Sequence, residues 1–284
     1  MHPSIQPQRA IRELPDELIS QIAAGEVVER PASVVRELVD NALDAGSTHI
    51  TVRLLSGGVR LISVEDNGVG IPADELPIAL KRHATSKIAN LDELESVGTM
   101  GFRGEALAAI HSVSELSLLS RTAQQDHAMR LDGRSGELQA AARALGTTVE
   151  VKELFYSTPA RRKFLKTDAT ELAHCVEAVR RHALSRPQVG FEIWHEGKLV
   201  EQWRSQTGNA ALDRRLSDVL GADFLQNSVA VAFTQGNIQV YGRAGIPDAA
   251  RARADHQFLY VNGRFVRDKV VTHAARSAYE DVLH

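Results

Sequence analysis

The sequence contains little that would support an extracellular function, a cysteine-based metal site or a membrane function. Its 284 residues include one cysteine, Cys175, so neither an internal disulfide nor a CxxC metal site can form. A lone thiol suits a reducing compartment. The N-terminus lacks a basic segment followed by an apolar one, and no apolar run approaches the roughly 18 residues that span a bilayer. We therefore expect a cytoplasmic protein with no membrane contact.

The net charge is also small, at −3, but the charged residues are distributed unevenly along the chain. Residues 1–157 hold 15 Lys and Arg against 22 Asp and Glu, whereas residues 158–284 hold 18 against 14. This asymmetry suggests that the second half of the chain is the part that meets a polyanion. A chance imbalance across solvated faces explains the same numbers equally well.

The chain is long enough for two domains, and 43% hydrophobic residues suffice for packed cores. Composition becomes looser at 205–209, so we expect one domain over 1–208 and a smaller one over 209–284. Helices and strands are mixed without regular βαβ alternation. This pattern favours an α+β sandwich in each domain.

Apolar periodicity predicts the elements that carry the motifs. Ser33 is a suitable N-cap for a helix that runs to Ala45, with Gly46 as its C-terminal stop. Asn262-Gly263 between apolar runs predicts a hairpin with a type I′ turn. The same reasoning predicts strands at 50–54, 61–64, 114–121 and 146–151, and helices from Pro15 and over 169–185, 214–220 and 270–283.

Three polar residues of the 33–45 helix share one face. Glu37, Asn41 and Asp44 lie at positions i, i+4 and i+7. Glu37 can orient and deprotonate a water, and the amide oxygen of Asn41 is a ligand that Mg²⁺ accepts. An ordinary solvated helix face is the alternative. The opposite face is apolar and predicts packing on a sheet, through Val34, Val35, Leu38, Val39 and Ala42.

A second motif, Asp66-Asn67-Gly68-Val69-Gly70, follows the strand predicted at 61–64. An aspartate at a strand end can accept a hydrogen bond from an exocyclic amine such as that of adenine. Gly68 and Gly70 allow backbone and ligand to approach closely. Turns often contain such residues, so the motif alone is weak.

A third motif ends the polar, irregular segment 71–104, which is too long for a simple connector and predicts a lid. Gly98, Gly101 and Gly104 lead into an apolar helix, whose free N–H groups and positive dipole end suit phosphates. No GxxxxGK[ST] occurs, so this is not a P-loop. Further on, Thr148 places a hydroxyl on a strand, although threonine favours strands in any case.

The order of these motifs resembles the GHKL ATPase superfamily, which unites gyrase B subunits, heat-shock chaperones, histidine kinases and MutL. Longer stretches narrow the resemblance to the MutL family of DNA mismatch repair proteins. It extends from about Leu14 to the last residue and rests on residues 21–31, 82–88, 101–107, 158–165 and 260–264.

The resemblance implies an ATP and Mg²⁺ site on an α/β sandwich. Glu37 is then the general base, Asn41 holds Mg²⁺, and Asp66 reads adenine with Thr148 supporting it through water. Gly68 and Gly70 shape the pocket floor. The other residues implied to contact ATP are Asp44, Ala45, Lys87, Thr99, Met100, Gly101, Phe102, Arg103, Gly104, Glu105, Ala106 and Leu107.

The resemblance also implies partners and a limit. Family members form an ATP-dependent homodimer that closes as a clamp on DNA and associates with the nucleoid. They link a MutS-type mismatch sensor to a downstream nuclease or helicase. We expect the second domain, of the ribosomal-protein-S5 type, to be incomplete, since the family's lysine loop would follow His284. The ATPase is then slow. The alternative is a head that binds nucleotide and DNA without turnover.

Two basic clusters are candidates for DNA contacts, which would be largely independent of sequence and sensitive to salt. Arg264, Arg267 and Lys269 lie on or beside the Asn262-Gly263 hairpin, and Arg161 and Arg162 lie in the 158–165 stretch. For the latter pair a purely structural role remains an open alternative.

Overall fold

The computed structural model describes residues 15, 24–25, 27–86, 104–247 and 257–279. Its largest element is an eight-stranded sheet with the order β5-β4-β3-β6-β2-β1-β7-β8. Strands β1 and β7 pair in parallel, and the other neighbours are antiparallel. The strands are β1 (His49–Leu55), β2 (Leu61–Asp66), β3 (Glu115–Arg121), β4 (Ala128–Asp132), β5 (Leu138–Ala141), β6 (Gly146–Lys152), β7 (Gly190–His195) and β8 (Lys198–Trp203).

Helices cover one face of this sheet. The helices that contact its strands are α1 (Pro31–Asp44), α3 (Ala106–Ser112) and α5 (Asp168–Ser185). Two single-turn helices, α2 (Leu76–Ala79) and α4 (Pro159–Arg162), and a 3-10 turn (Ser56–Gly58) complete this part of the chain. The apolar stripe predicted on α1 is buried, and α1 packs on α5 and β2. The other face carries polar pairs such as Arg53 and Glu65, whose side chains approach to 3.3 Å. The predicted α+β sandwich is therefore confirmed as a two-layer fold.

The start of α1 differs from the prediction. Ser33 is not its N-cap: the helix begins at Pro31, and Arg30 occupies the N-cap position without a capping side chain. Proline suits the first helical turn because its missing N–H has no partner there in any case. Gly46 follows the helix with φ +74°, as expected for a C-terminal stop.

The sequence pattern missed the β4–β5 hairpin at the sheet edge. All four residues of β5 are exposed or half-buried, so no apolar alternation marked the strand. The predicted lid contributes the short α2 and the turns up to Ser86, while the helix predicted from Pro15 falls almost wholly outside the described residues.

The region after Gly208 consists of small elements. They are α6 (Ala211–Leu220), α7 (Ala222–Gln226), a hairpin of β9 (Ser228–Gln235) and β10 (Ile238–Gly245), a hairpin of β11 (Leu259–Val261) and β12 (Arg264–Val266), and α8 (Lys269–Ser277). Asn262 and Gly263 have φ of +50° and +76°, so the predicted I′-type turn is confirmed.

Arginines attach this region to the sandwich. Arg215 of α6 is fully buried, and its guanidinium donates to the carbonyl oxygens of Ala183, Pro187, Val189 and Arg204 at 2.7–3.1 Å. Burial lowers its pKa to about 10.

The β11–β12 hairpin is attached in the same way. The Tyr260 hydroxyl donates to the carbonyl of Arg181 at 2.8 Å, and the Arg181 guanidinium lies 4.4 Å from the Phe265 ring centroid. None of the helices described here is both long and apolar enough to cross a membrane.

Candidate functional site

The candidate site lies where the end of β2 meets the turn after α1. Asp66 is buried there, and its Oδ1 accepts hydrogen bonds from Ser47 Oγ at 3.1 Å and from the Gly68 N–H at 2.7 Å. Burial raises the pKa of Asp66, while these bonds and the charge of Arg143 act in the opposite direction. A desolvated carboxylate of this kind is stabilised by any further hydrogen-bond donor that a ligand brings.

Side chains and backbone groups fix the loop after Asp66. Asn67 Oδ1 accepts from the N–H groups of Thr48 and His49, both at 2.9 Å. The Val69 N–H donates to the Ala45 carbonyl at 3.0 Å, and the Ile71 N–H donates to Ser120 Oγ at 2.7 Å. These bonds within the chain hold the loop in place.

The two glycines of this loop are required by space and by conformation. A Cβ on Gly68 would lie 2.7 Å from the Ala45 carbonyl oxygen and 2.8 Å from Ser47 Oγ. Gly70 has φ +80°, which favours glycine, and a Cβ there would collide with the backbone of Arg121.

Glu37, Asn41 and Asp44 lie on α1 and are all half-buried, so the structure brings them to one accessible face. Glu37 accepts a hydrogen bond from the Arg36 guanidinium at 3.0 Å. Glu37 precedes Ala45 by two helical turns, or about 12 Å along the axis. A ligand that contacts both Glu37 and the Asp66 loop must therefore be elongated.

Thr148 does not lie where the resemblance placed it. It pairs with Glu65 in the β2–β6 register, so its side chain is on the open face of the sheet, opposite the Asp66 carboxylate. Thr147 shares the helix-covered face with Asp66. Its hydroxyl is buried, 2.9 Å from Ser120 Oγ, and its backbone N–H acts against the rise in the Asp66 pKa that burial causes.

A signal in the sequence could have separated the two threonines. Thr147 has the same parity as the apolar Val149 and Val151, whereas Thr148 has the same parity as Glu150 and Lys152. The residue that shares parity with the core residues is the one on the site's face.

At the start of α3, the glycine-rich motif that ends at Gly104 contacts the 82–88 stretch. Gly104 has φ +61°, and a Cβ there would lie 2.6 Å from the Ala84 carbonyl oxygen. The Glu105 carboxylate lies 3.3 Å from His83 Nδ1. Ala106 and Leu107 form the first turn of α3 and are half-buried. The other implied lid contacts lie outside the described residues, namely Lys87, Thr99, Met100, Gly101, Phe102 and Arg103.

The 158–165 cluster is largely engaged within the chain. The Arg161 guanidinium packs against Gly25, and its Nη1 is buried. Arg162 Nη2 lies 3.2 Å from the Glu153 carboxylate. These contacts favour the structural interpretation of Arg161 and Arg162.

The second basic cluster is more exposed to solvent. Arg267 and Lys269 are exposed, and the Arg267 guanidinium lies 5.9 Å from the Phe265 ring centroid. Arg264 is half-buried in β12. The three residues therefore lie on one short hairpin and the helix start that follows it.

Two family models match the chain. One, described as histidine kinase-, DNA gyrase B- and HSP90-like ATPase, matches residues 29–155. The other, described as the C-terminal domain of DNA mismatch repair proteins, matches residues 216–284. The first match contains α1, the Asp66 loop and β6, which together form the candidate site.

Similar proteins agree with this assignment. DNA mismatch repair protein MutL of Ralstonia nicotianae is 59% identical over 98% of this chain and 43% of its own length. MutL of Herminiimonas arsenicoxydans is 53% identical over 100% of this chain and 47% of its own length. The ADP complex of the Aquifex aeolicus MutL ATPase domain superposes with a TM-score of 0.66 at 28% identity, covering 88% of each chain.

The chain is therefore a GHKL-type ATPase domain with a smaller domain after it. It belongs to the MutL family of DNA mismatch repair proteins, as the resemblance implied, and corresponds to their N-terminal ATPase region. It spans less than half the length of these curated relatives.

Proposed function

We propose that this chain is the ATP-binding head of a mismatch repair protein, and that it hydrolyses ATP slowly with Mg²⁺ to drive a clamp. The observation that carries the proposal is the buried Asp66 carboxylate, which ends β2 and is held by Ser47 and Gly68. The family match supports an ATPase, and the ADP complex of the Aquifex aeolicus relative supports a nucleotide in this cleft.

Asp66 recognises the base in this proposal. Its carboxylate accepts a hydrogen bond from the exocyclic amine of adenine, while Gly68 leaves room for the ring to approach. Thr147 rather than Thr148 supplies the supporting hydroxyl in this proposal, because Thr147 lies on the same face of the sheet as Asp66.

The chemical step takes place along α1. Glu37 accepts a proton from a water as that water attacks the γ-phosphorus, and the bond from phosphorus to the bridging oxygen of ADP breaks. The Asn41 amide oxygen would hold Mg²⁺, which offsets phosphate charge when bound.

The clamp requires partners beyond this chain. We propose an ATP-dependent homodimer on DNA that passes a signal from a MutS-type mismatch sensor to a nuclease or helicase. Arg264, Arg267 and Lys269 are the proposed phosphate contacts, because they are grouped on a hairpin that Tyr260 fastens to α5. Contacts of Arg161 and Arg162 with DNA are the weaker part of the proposal.

A second candidate function is a binding head without turnover. It is favoured by the ion pair between Glu37 and Arg36 at 3.0 Å, because this pair engages the carboxylate that would accept the proton of the water. The two candidates differ only in hydrolysis, so a direct measurement separates them.

The experiment is steady-state phosphate release with ATP and Mg²⁺, together with nucleotide affinity, for the wild type, Glu37→Ala and Asp66→Asn. We expect Glu37→Ala to bind ATP normally and to lose at least about a hundredfold in turnover, in line with the usual contribution of a general base. Asp66→Asn should lose ATP affinity. Binding without turnover in the wild type would support the second candidate, and equal loss of affinity in both variants would refute the two separate roles.

A further inference from the structure

Arg143, in the loop between β5 and β6, contacts the backbone of Asp66 and the side chain of Thr148. Its Nη2 donates to the backbone carbonyl of Asp66 at 2.6 Å, and its Nε donates to Thr148 Oγ1 at 3.0 Å. Its Nη1 bonds the Ala144 carbonyl at 3.0 Å. One guanidinium thus joins the last residue of β2 to the neighbouring strand β6.

The two faces of the sheet explain why this contact matters. Thr148 and Glu65 are on the open face, so Arg143 reaches Asp66 from the side opposite its carboxylate and leaves the helix-covered face to a ligand. The β2–β6 register ends at the pair of Glu65 and Thr148. The Asp66 carbonyl therefore lies just beyond the β2–β6 ladder. Arg143 supplies the hydrogen-bond donor that a continued ladder would provide there.

The loop of Arg143 is itself held in place. Arg121 Nη1 donates to the Arg143 carbonyl at 3.3 Å, and Arg121 Nε donates to the Gln125 carbonyl at 3.1 Å. Gly146, with φ +114°, brings the start of β6 so close to Asp66 that a side chain there would collide with the Asp66 carbonyl. The Asp66 backbone is thus confined between Arg143 on one side and Gly146 on the other.

We propose that Arg143 is a positioning residue for base recognition: it fixes the Asp66 backbone so that the carboxylate meets the exocyclic amine of adenine. The inference rests on the proposed nucleotide site. It goes further by assigning selectivity for the amine to a side chain that touches no part of the nucleotide. The positive charge of Arg143 also opposes the rise in the Asp66 pKa that burial causes.

The test compares ATP with purine riboside triphosphate, which lacks the exocyclic amine, in binding assays on the wild type and Arg143→Met. We expect ATP affinity to fall about tenfold, the equivalent of one good hydrogen bond, with the affinity for the analogue unchanged within about twofold. Arg134→Met is the matched control, because Arg134 is exposed at the β4–β5 turn. It should leave both affinities unchanged.

Equal weakening of both nucleotides by Arg143→Met would overturn the proposal, because it would show a general support of the fold. No change for either nucleotide would overturn it as well. Arg143→Lys keeps the charge and a single donor and should recover part of the selectivity. It also supplies the same comparison if the methionine variant does not fold.

Asp66→Asn separates failure of this inference from failure of the proposed function. Loss of selectivity in Asp66→Asn but not in Arg143→Met would leave the nucleotide site intact and remove the role of Arg143. Unchanged selectivity in Asp66→Asn would remove both.

Discussion

The sandwich and the region after Gly208 bury their apolar side chains to different degrees. Ile62 of β2 is fully buried under the helices, whereas Val229, Phe233 and Val240 of the β9–β10 hairpin are each more than half exposed. The second region is instead attached by polar groups, above all by Arg215. The proposed nucleotide site therefore lies on elements of the well-packed core, whereas the proposed DNA hairpin depends on contacts with that core for its position.

The largest expected effect concerns this attachment. Arg215→Met should lower the free energy of unfolding by about 4 kcal/mol, because it leaves several buried carbonyls without donors. Denaturant titration measures the change. Arg214→Met, at the exposed neighbouring position, is the matched control and should cost under about 1 kcal/mol. Similar small costs for both variants would mean that the polar attachment contributes little.

The next effect measures the core directly with one substitution at two positions. Ile62→Ala should lower the free energy of unfolding by about 3 kcal/mol, through lost burial and the cavity left behind. Ile238→Ala, at a position that is 68% exposed in the second region, should cost under about 0.5 kcal/mol. Equal costs in thermal or denaturant unfolding would contradict the contrast between the regions.

The smallest effect tests the division of labour between the regions. Reversing Arg264 and Arg267 to glutamate should weaken DNA binding about tenfold at low salt and flatten its salt dependence, because phosphate contacts release counterions. ATP affinity should stay the same. Fluorescence anisotropy with a labelled duplex at several salt concentrations measures both quantities, and unchanged DNA affinity at low salt would exclude this hairpin from the interface.

The local patterns in the sequence were enough to predict two local features of the fold. The stripe that includes Val35 and Val39 fixed which face of α1 is buried, and Asn262-Gly263 predicted its turn, because both depend on neighbouring residues alone. Arg143 and Arg215 could not be found in this way, since each acts on backbone groups brought close only by the fold. The placement of Thr148 failed for another reason: a shift of one residue reverses the face of a strand.

The length of α1 between Glu37 and Ala45 sets the terms for small-molecule inhibition. In the proposed site, a compound the size of adenosine would fill only the Asp66 end and a phosphate mimic only the Glu37 end, since about 12 Å of helix separates them. Two such fragments should then bind together without competing. Joining them with a linker that spans this distance makes the second contact intramolecular, so affinity should rise well beyond that of either fragment.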